Sequence, residues 1–259
     1  MKHSTQAELI HKAANLILQS NAAVAFTGAG ISTPSGIPDF RSTGTGLWQT
    51  YNPMQSASIW SFRDTPERFY GWLRPLAVDI VRAEPNPAHI ALAQLEQAGQ
   101  LTGVVTQNID NLHHRAGSET VYEIHGHLRE NVCISCRETF PAGRTLEDFA
   151  GSGVVPLCPN CQARLKPSVV LFGEDLPPDV VEDSLRLLRE ADLILVAGSS
   201  LVVAPASYFP LEALDVGAEL ILINLEPTYL DTRASVVIHD DVAVVLPAIA
   251  REVLGGTNE

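Results

Sequence analysis

At 259 residues, with 46% hydrophobic and 18% charged side chains, the chain is long enough to bury a large core and carries none of the biased tracts of a disordered protein. Its formal charge of -13 at pH 7 argues against non-specific nucleic-acid binding, since a phosphate backbone would be repelled, and favours a basic partner such as a lysine-rich peptide. Residues 1–20 lack the apolar run and small-residue cleavage site of a secretory signal, so a cytoplasmic location is expected.

The first apolar run, "AAVAF" at 22–26, reads as a buried strand and leads into "FTGAGISTPSGIPDFR". Gly28 and Gly30 supply two glycines of a G-x-G-x-x-G dinucleotide turn, but Thr33 stands where the third belongs, so this motif alone is weak. Residues 42–85 are aromatic-rich and broken by prolines. A helix is predicted over 88–98, with Pro87 at its start and Gly99 just past its end.

The next strand, "LTGVVT" at 101–106, ends in "TQNID", which puts Gln107, Asn108 and Asp110 at a strand's carboxyl end. "YEIHGH" gives His125 a similar position, making it the best candidate for a general base. His127 could form a metal pair with it, but the nearby cysteines offer a complete shell; His3, His11, His89, His113, His114 and His239 read as surface or core residues.

"CISC" (Cys133, Cys136) and "CPNC" (Cys158, Cys161) are two C-x-x-C pairs, the pattern of a four-thiolate zinc site. Four thiolates leave no position open for substrate, so the metal is expected to be structural. Two redox dithiols or disulfides are one alternative, and a DNA-binding zinc ribbon is another, which the acids balancing the arginines between the two pairs disfavour.

A helix over 180–190 precedes "LILVAG" at 193–198, and the strands "LILIN" (220–224) and "SVVI" (235–238) follow. The run 193–211 is uncharged and nearly long enough to span a bilayer, but Gly198, Pro205 and Pro210 favour a strand, a turn and a second element. Alternation of strands and helices predicts a mostly parallel, Rossmann-like α/β sheet. The expected organisation is one catalytic domain spanning 1–259. Its large lobe takes in 1–41, 86–125 and 168–259, and a smaller zinc-binding lobe is formed by insertions at 42–85 and 126–167. Polar tips of several strands would then converge on the crevice at their carboxyl ends.

Taken together, "GAGIS", "GIPDFR", "TQNID", "HGH", the paired C-x-x-C, "VVLFGE" and "GSSLVV" resemble the sirtuins, NAD-dependent protein lysine deacylases, over residues 10–250. The resemblance implies NAD as co-substrate, a structural zinc ion and acetylated-lysine peptides as partners, with neither nucleic acid nor membrane. It implies that Gly28, Ala29, Gly30, Thr33, Asp39, Phe40 and Arg41 contact the dinucleotide from the first turn. Gln107 and His125 would approach the reacting ribose, Ile109 and Asp110 the carboxamide, and Asn108 would join His125 in catalysis. Gly198, Ser199, Ser200, Asn224, Leu225, Asp241 and Val242 would line the adenosine side. "VVLFGE", through Val170, Phe172, Gly173 and Glu174, would pair with an extended substrate peptide.

Sirtuins that remove succinyl or malonyl groups carry a Tyr and an Arg three residues apart on a helix. Here Tyr70 matches, but Leu73 stands in the Arg position and Arg74 falls about 100° round the helix. Tyr70 is therefore expected to be a plain pocket-wall aromatic and uncharged acyl groups to be preferred. The competing readings are a Rossmann dehydrogenase, an NAD glycohydrolase or ADP-ribosyltransferase, and a non-catalytic NAD- and zinc-binding regulator. The dehydrogenase reading lacks both its third glycine and an acid near position 48, which is Trp48.

Overall fold

The computed structural model describes residues 5–41 and 46–255; stretches 1–4, 42–45 and 256–259 of the expected lobes, His3 among them, lie outside the described residues. Helix α1 (Gln6–Gln19) opens on a capping box, with the Glu8 amide donating to Thr5 Oγ1 and the Thr5 amide to the Glu8 carboxylate. Strand β1 (Ala23–Thr27) runs into two 3-10 turns at Ala29–Ile31 and Thr33–Ser35. The first insertion is helical: α2 (Leu47–Thr50), α3 (Pro53–Ser56), α4 (Ile59–Asp64) and α5 (Pro66–Arg82). Helix α6 (Pro87–Gln97), capped by Asn86, leads to β2 (Gly103–Thr106), α7 (Leu112–Ala116) and β3 (Val121–Glu123).

The second insertion holds β4 (Gly126–Cys133), β5 (Thr139–Pro141), α8 (Gly143–Ser152) and β6 (Leu165–Val169). The chain then returns through α9 (Pro178–Glu190), β7 (Leu193–Ala197), α10 (Phe209–Asp215), β8 (Glu219–Ile223), β9 (Val236–Ile238) and α11 (Val242–Gly255). The run 193–211 is thus a strand, a turn and a helix start, and no helix among the described residues is long and apolar enough to cross a membrane.

Six strands form one parallel sheet in the order β3-β2-β1-β7-β8-β9, while β5-β4-β6 form a separate antiparallel sheet. Strands β1, β2 and β7 are buried on both faces, which is why they read as unbroken apolar runs. One face packs against α1, α6 and α11 through Ile17, Leu92, Leu95 and Ile249; the other packs against α9 and α10 through Leu188, Phe209 and Ala213. A third apolar cluster joins α4 and α5 to α8 and β6 through Phe62, Phe69, Phe149 and Val169.

The register decides where chemistry can occur. Thr27 lies level with Thr106 and Ala197, Thr106 with Glu123, Ala197 with Ile223, and Ile223 with Ile238, so the carboxyl ends of the parallel strands finish in one row. The chain leaves β1 towards β2 on one side and β7 lies on the other, so the order reverses between β1 and β7. That reversal is where an open α/β sheet forms its ligand crevice.

Candidate active site

Two loops meet at this crevice. Gly28 and Gly30 follow β1, Gly198 follows β7, and the Gly30 amide donates to the Gly198 carbonyl at 2.8 Å. A Cβ on Gly28 or Gly30 would fall 2.9 or 2.8 Å from that same oxygen, and one on Gly198 only 2.2 Å from the Ile31 nitrogen. The two turns are keyed into each other by missing side chains. The glycines thus serve loop packing, and no third glycine is needed at Thr33, whose hydroxyl donates to the Gly30 carbonyl.

Beneath the turns lies a buried polar floor. Asn108 Nδ2 donates to the Gly28 carbonyl at 3.1 Å and to Ser32 Oγ at 3.0 Å, and Ser32 Oγ donates to Asp110 Oδ2 at 2.6 Å. Asp110 Oδ1 accepts the Leu112 amide, and burial raises its pKa above the ordinary carboxylate value, with Ser32 opposing. Thr27 Oγ1 donates to Thr106 Oγ1 at 2.8 Å and sits 2.9 Å from His113 Nε2. His113 packs edge-on against His89, which lies 3.4 Å from Ser32 Oγ.

Asn108 and Asp110 are expected here from the sequence, whereas Ser32, Thr27, Thr106, His89 and His113 are not. The signal for the latter was present in the threonines that close the apolar runs of β1 and β2 and in His89, a polar residue within the apolar helix α6. Neither pattern distinguishes a site from a satisfied core histidine until the strands are brought together.

Gln107 and Ser199 bridge the crevice, with Gln107 Nε2 donating to Ser199 Oγ at 2.8 Å. His125 lies just past β3, its Nδ1 2.9 Å from the Gln107 carbonyl. A carbonyl only accepts, so Nδ1 carries the proton and neutral His125 keeps a lone pair on Nε2. Burial, aided by the Arg41 guanidinium, lowers its pKa below 6.5, against the Gln107 hydrogen bond. His125 is therefore a neutral base at pH 7.

The remaining residues expected to bind the dinucleotide line the same row of strand ends. Asn224, after β8, donates its side-chain amide to the Glu226 carbonyl, with Leu225 exposed beside it; Asp241 caps α11 through the Ala243 amide, next to buried Val242. Ser199 is buried and Ser200 exposed. Asp39 Oδ1 accepts the Arg41 amide, and Ile109 packs against the apolar cluster of the first insertion.

Phe40 stacks on Trp48 at 5.1 Å between ring centres. Trp48 in turn stacks on Trp72 at 5.8 Å and meets Phe172 edge-on at 6.0 Å. This aromatic wall joins the first turn to the 170–174 segment.

Two expectations are corrected here. Phe172 does not offer its backbone outward: its amide donates to the Ala57 carbonyl and its carbonyl accepts the Ile59 amide, both at 3.0 Å. The Val170 amide is likewise held by the His125 carbonyl, and Glu174 folds back onto the Leu171 amide and Lys166, with Gly173 passing over the Trp60 ring. Tyr70 is not a pocket wall but a core residue packed among Phe62, Phe69 and Phe149, its hydroxyl donating to the Leu165 carbonyl at 2.9 Å. Arg74 is committed elsewhere, donating to the Ala150 and Gly151 carbonyls at the end of α8.

The four cysteine sulfurs lie within 4.8 Å of one another, with Cys133 and Cys161 at 3.4 Å and Cys136 and Cys158 at 3.6 Å. These separations exceed an S–S bond of about 2 Å. They match the edge of a tetrahedron, about 3.8 Å, that Zn–S bonds of about 2.3 Å imply. Each pair sits on the same turn, closed by a left-handed residue after its second cysteine: Arg137 donates its amide to the Cys133 carbonyl and Gln162 to that of Cys158. The donor set fits a structural zinc ion.

A Sir2 family model matches residues 28–205. The chain is 44% identical over 245 residues to NAD-dependent protein deacylase 2 of Archaeoglobus fulgidus, covering 94% of this chain and 96% of that one. It superposes with a TM-score of 0.89 and 43% identity on a structure solved for the mechanism and regulation of Sir2 enzymes, covering 96% of this chain and 98% of the other. It also superposes, with a TM-score of 0.87 and 38% identity over 94% of this chain and 98% of the other, on a Sir2 histidine-to-alanine variant complexed with a deacetylated p53 peptide and 3'-O-acetyl ADP ribose. With glycine turns, polar floor, histidine and cysteine knuckles in this arrangement, the chain belongs to the Sir2 family.

Proposed function

We propose that the protein removes acetyl groups from lysine side chains of other proteins, using NAD as co-substrate and releasing nicotinamide and O-acetyl-ADP-ribose. The observation that carries this reading is the pairing of His125, a neutral base with Nε2 available, with the Asn108–Ser32–Asp110 floor on the same crevice.

In this reading Asp110 and Ile109 receive the carboxamide, and Gln107 and Asn108 stabilise the positive charge that develops on the ribose as nicotinamide departs. The acetyl oxygen captures that carbon. His125 then takes a proton from a ribose hydroxyl, whose oxygen attacks the captured acetyl carbon; the lysine amine leaves as that C–N bond breaks, and one water molecule completes the release of O-acetyl-ADP-ribose. The keyed turns at Gly28, Ala29, Gly30 and Gly198, with Thr33, Ser199 and Ser200, receive the phosphates and adjoining ribose. Asn224, Leu225, Asp241 and Val242 receive the adenosine, while Asp39, Phe40 and Arg41 close over the nicotinamide ribose.

With Phe172 bonded inward and the amides of Val170 and Glu174 engaged, a substrate strand would pair with the remaining backbone groups of Val170, Gly173 and Glu174, and the aromatic wall, Phe172 included, would line the path of the acyl group. The four cysteines hold zinc as a structural staple and take no part in the reaction. One catalytic unit with a large lobe (1–41, 86–125, 168–259) and a small lobe (42–85, 126–167) suits this division of work. Thiols kept as a metal site rather than as disulfides suit the cytoplasm.

The test is nicotinamide release from NAD with and without an acetyl-lysine peptide. Peptide-dependent release with formation of O-acetyl-ADP-ribose is expected. Release that ignores the peptide would assign a glycohydrolase, and no release a non-catalytic regulator.

A further inference from the structure

Arg129 lies on β4 between His125 and the zinc-knuckle residue Cys133, and its guanidinium points back to the large lobe. Nη1 donates to Glu123 Oε1 at 2.7 Å and to Asn111 Oδ1 at 2.8 Å, and Nη2 donates to the other Glu123 oxygen. The Glu123 side chain is only 7% exposed. A carboxylate that deep needs both its oxygens met, and the fork meets them in the bidentate geometry that arginine alone provides.

The two partners sit at informative places. Glu123 ends β3, just before His125, and Asn111 follows Asp110 at the start of α7, held at φ 65°. One guanidinium therefore ties together the loop that carries Gln107 to Asp110 and the strand end that carries His125. The hydrogen bond from His125 to the Gln107 carbonyl is one strut between these segments, and Arg129 is a second, anchored on the strand that leads to the cysteines.

We propose that Arg129 is a positioning residue for the nicotinamide end of the site: by clamping Glu123 to Asn111 it fixes the spacing between Asp110 and His125 and couples that spacing to the zinc module. The proposal rests on the roles given above to Asp110 and His125. Arg129 touches no reacting atom, and its effect falls more on NAD than on the peptide, because the segment at 170–174 meets the His125 segment through the Val170 amide alone and is otherwise held by Ala57, Ile59 and Lys166.

Three variants test it on full-length, zinc-loaded protein. Arg129→Met keeps the aliphatic stem and removes the fork; Arg129→Lys keeps the charge but loses the second arm. Asn111→Gly removes only the Asn111 acceptor, at a φ that glycine adopts without strain. Kinetic constants are measured separately for NAD and for the peptide, with zinc content and Tm alongside.

Arg129→Met is expected to lower kcat/KM for NAD by about tenfold, the order expected when reacting groups shift by a fraction of an ångström, with KM for the peptide unchanged and zinc retained. Arg129→Lys should recover part of the loss, and Asn111→Gly should give a smaller, equally NAD-selective one. Wild-type NAD kinetics in folded Arg129→Met would overturn the proposal, as would equal losses for NAD and peptide that follow Tm. Should Arg129→Met not fold, wild-type NAD kinetics in Asn111→Gly would overturn it instead. A wild-type protein with no peptide-dependent nicotinamide release would remove the underlying reading and this proposal with it. Wild-type activity matched by the variants would remove this proposal alone.

Discussion

His89 and His113 make acid a specific threat to this fold. Both are buried in the polar floor, ring against ring, and burial lowers the pKa of His89 to about 4 and that of His113 well below 6.5, the latter helped by its histidine neighbours His89 and His114. In the unfolded chain each titrates near 6.5. The native state therefore binds fewer protons than the unfolded state below that pH. The stability due to their neutral burial is complete above about pH 6.5 and is lost as pH falls from there towards 4.

Between pH 7 and pH 5 the linkage relation gives a loss of about 2 kcal/mol for each histidine, since at pH 5 the unfolded side chain is almost fully charged and the buried one almost fully neutral. For a chain of this length that corresponds to roughly 4–8 °C in Tm per histidine. The assay is Tm at pH 7 and pH 5 for wild type, His89→Asn and His113→Gln. Acid also weakens thiolate–zinc bonds, but that effect is common to all three proteins and cancels in the comparison of slopes. Each variant should lose less Tm on acidification than wild type by that amount. Superimposed slopes would refute the reasoning.

His125→Ala should leave NAD binding intact and lower deacetylation by at least about a hundredfold, the range of a lost general base. Because the His125 pKa is lowered, the acid limb of the wild-type rate profile should lie below pH 6.5; a limb above that value would point to another base. Replacing any one of the four cysteines with serine should release zinc and lower Tm, with activity lost as the small sheet loosens, and metal analysis of wild type should find one zinc per chain. A metal-free protein with full activity and an unchanged melting profile would show the ion to be dispensable. Acetyl-lysine should be preferred over succinyl-lysine in the same peptide, because Arg74 is engaged by the α8 carbonyls and a carboxylate entering the aromatic wall would lose hydration without gaining a cation. Equal kcat/KM on the two peptides would mean that Arg74 leaves α8 for the acyl group.

Elements whose pattern is local were legible in the sequence. The runs that became β1, β2, β7 and β8 announce strands covered on both faces, Pro87 and Gly99 bracket α6, and the paired C-x-x-C spacing carries its own geometry. What sequence could not give was side-chain direction across long separations. Tyr70 occupies a position that the sirtuin resemblance assigns to the acyl pocket, but α5 turns that face into the core against α8 and β6. Phe172 sits in a segment that reads as an open strand, yet its backbone is taken by Ala57 and Ile59, far away in sequence. His89 and His113 belong to unrelated stretches, and only the packing of α6 against α7 makes them a pair.

The keyed glycines have a consequence for how the ligand is received. Loops that interlock backbone to backbone cannot move independently, so the surface that Gly28, Gly30 and Gly198 present together is already shaped before anything meets it. Association at that end then spends little of its free energy on ordering protein, and tightness there reflects fit alone. In the proposed reading the opposite end is lined by Trp48, Trp72 and Phe172, rings that meet by faces and edges rather than interlock and so would re-pack around different acyl groups. A rigid mould for the part common to every substrate pair thus adjoins an adaptable lining around the part that varies.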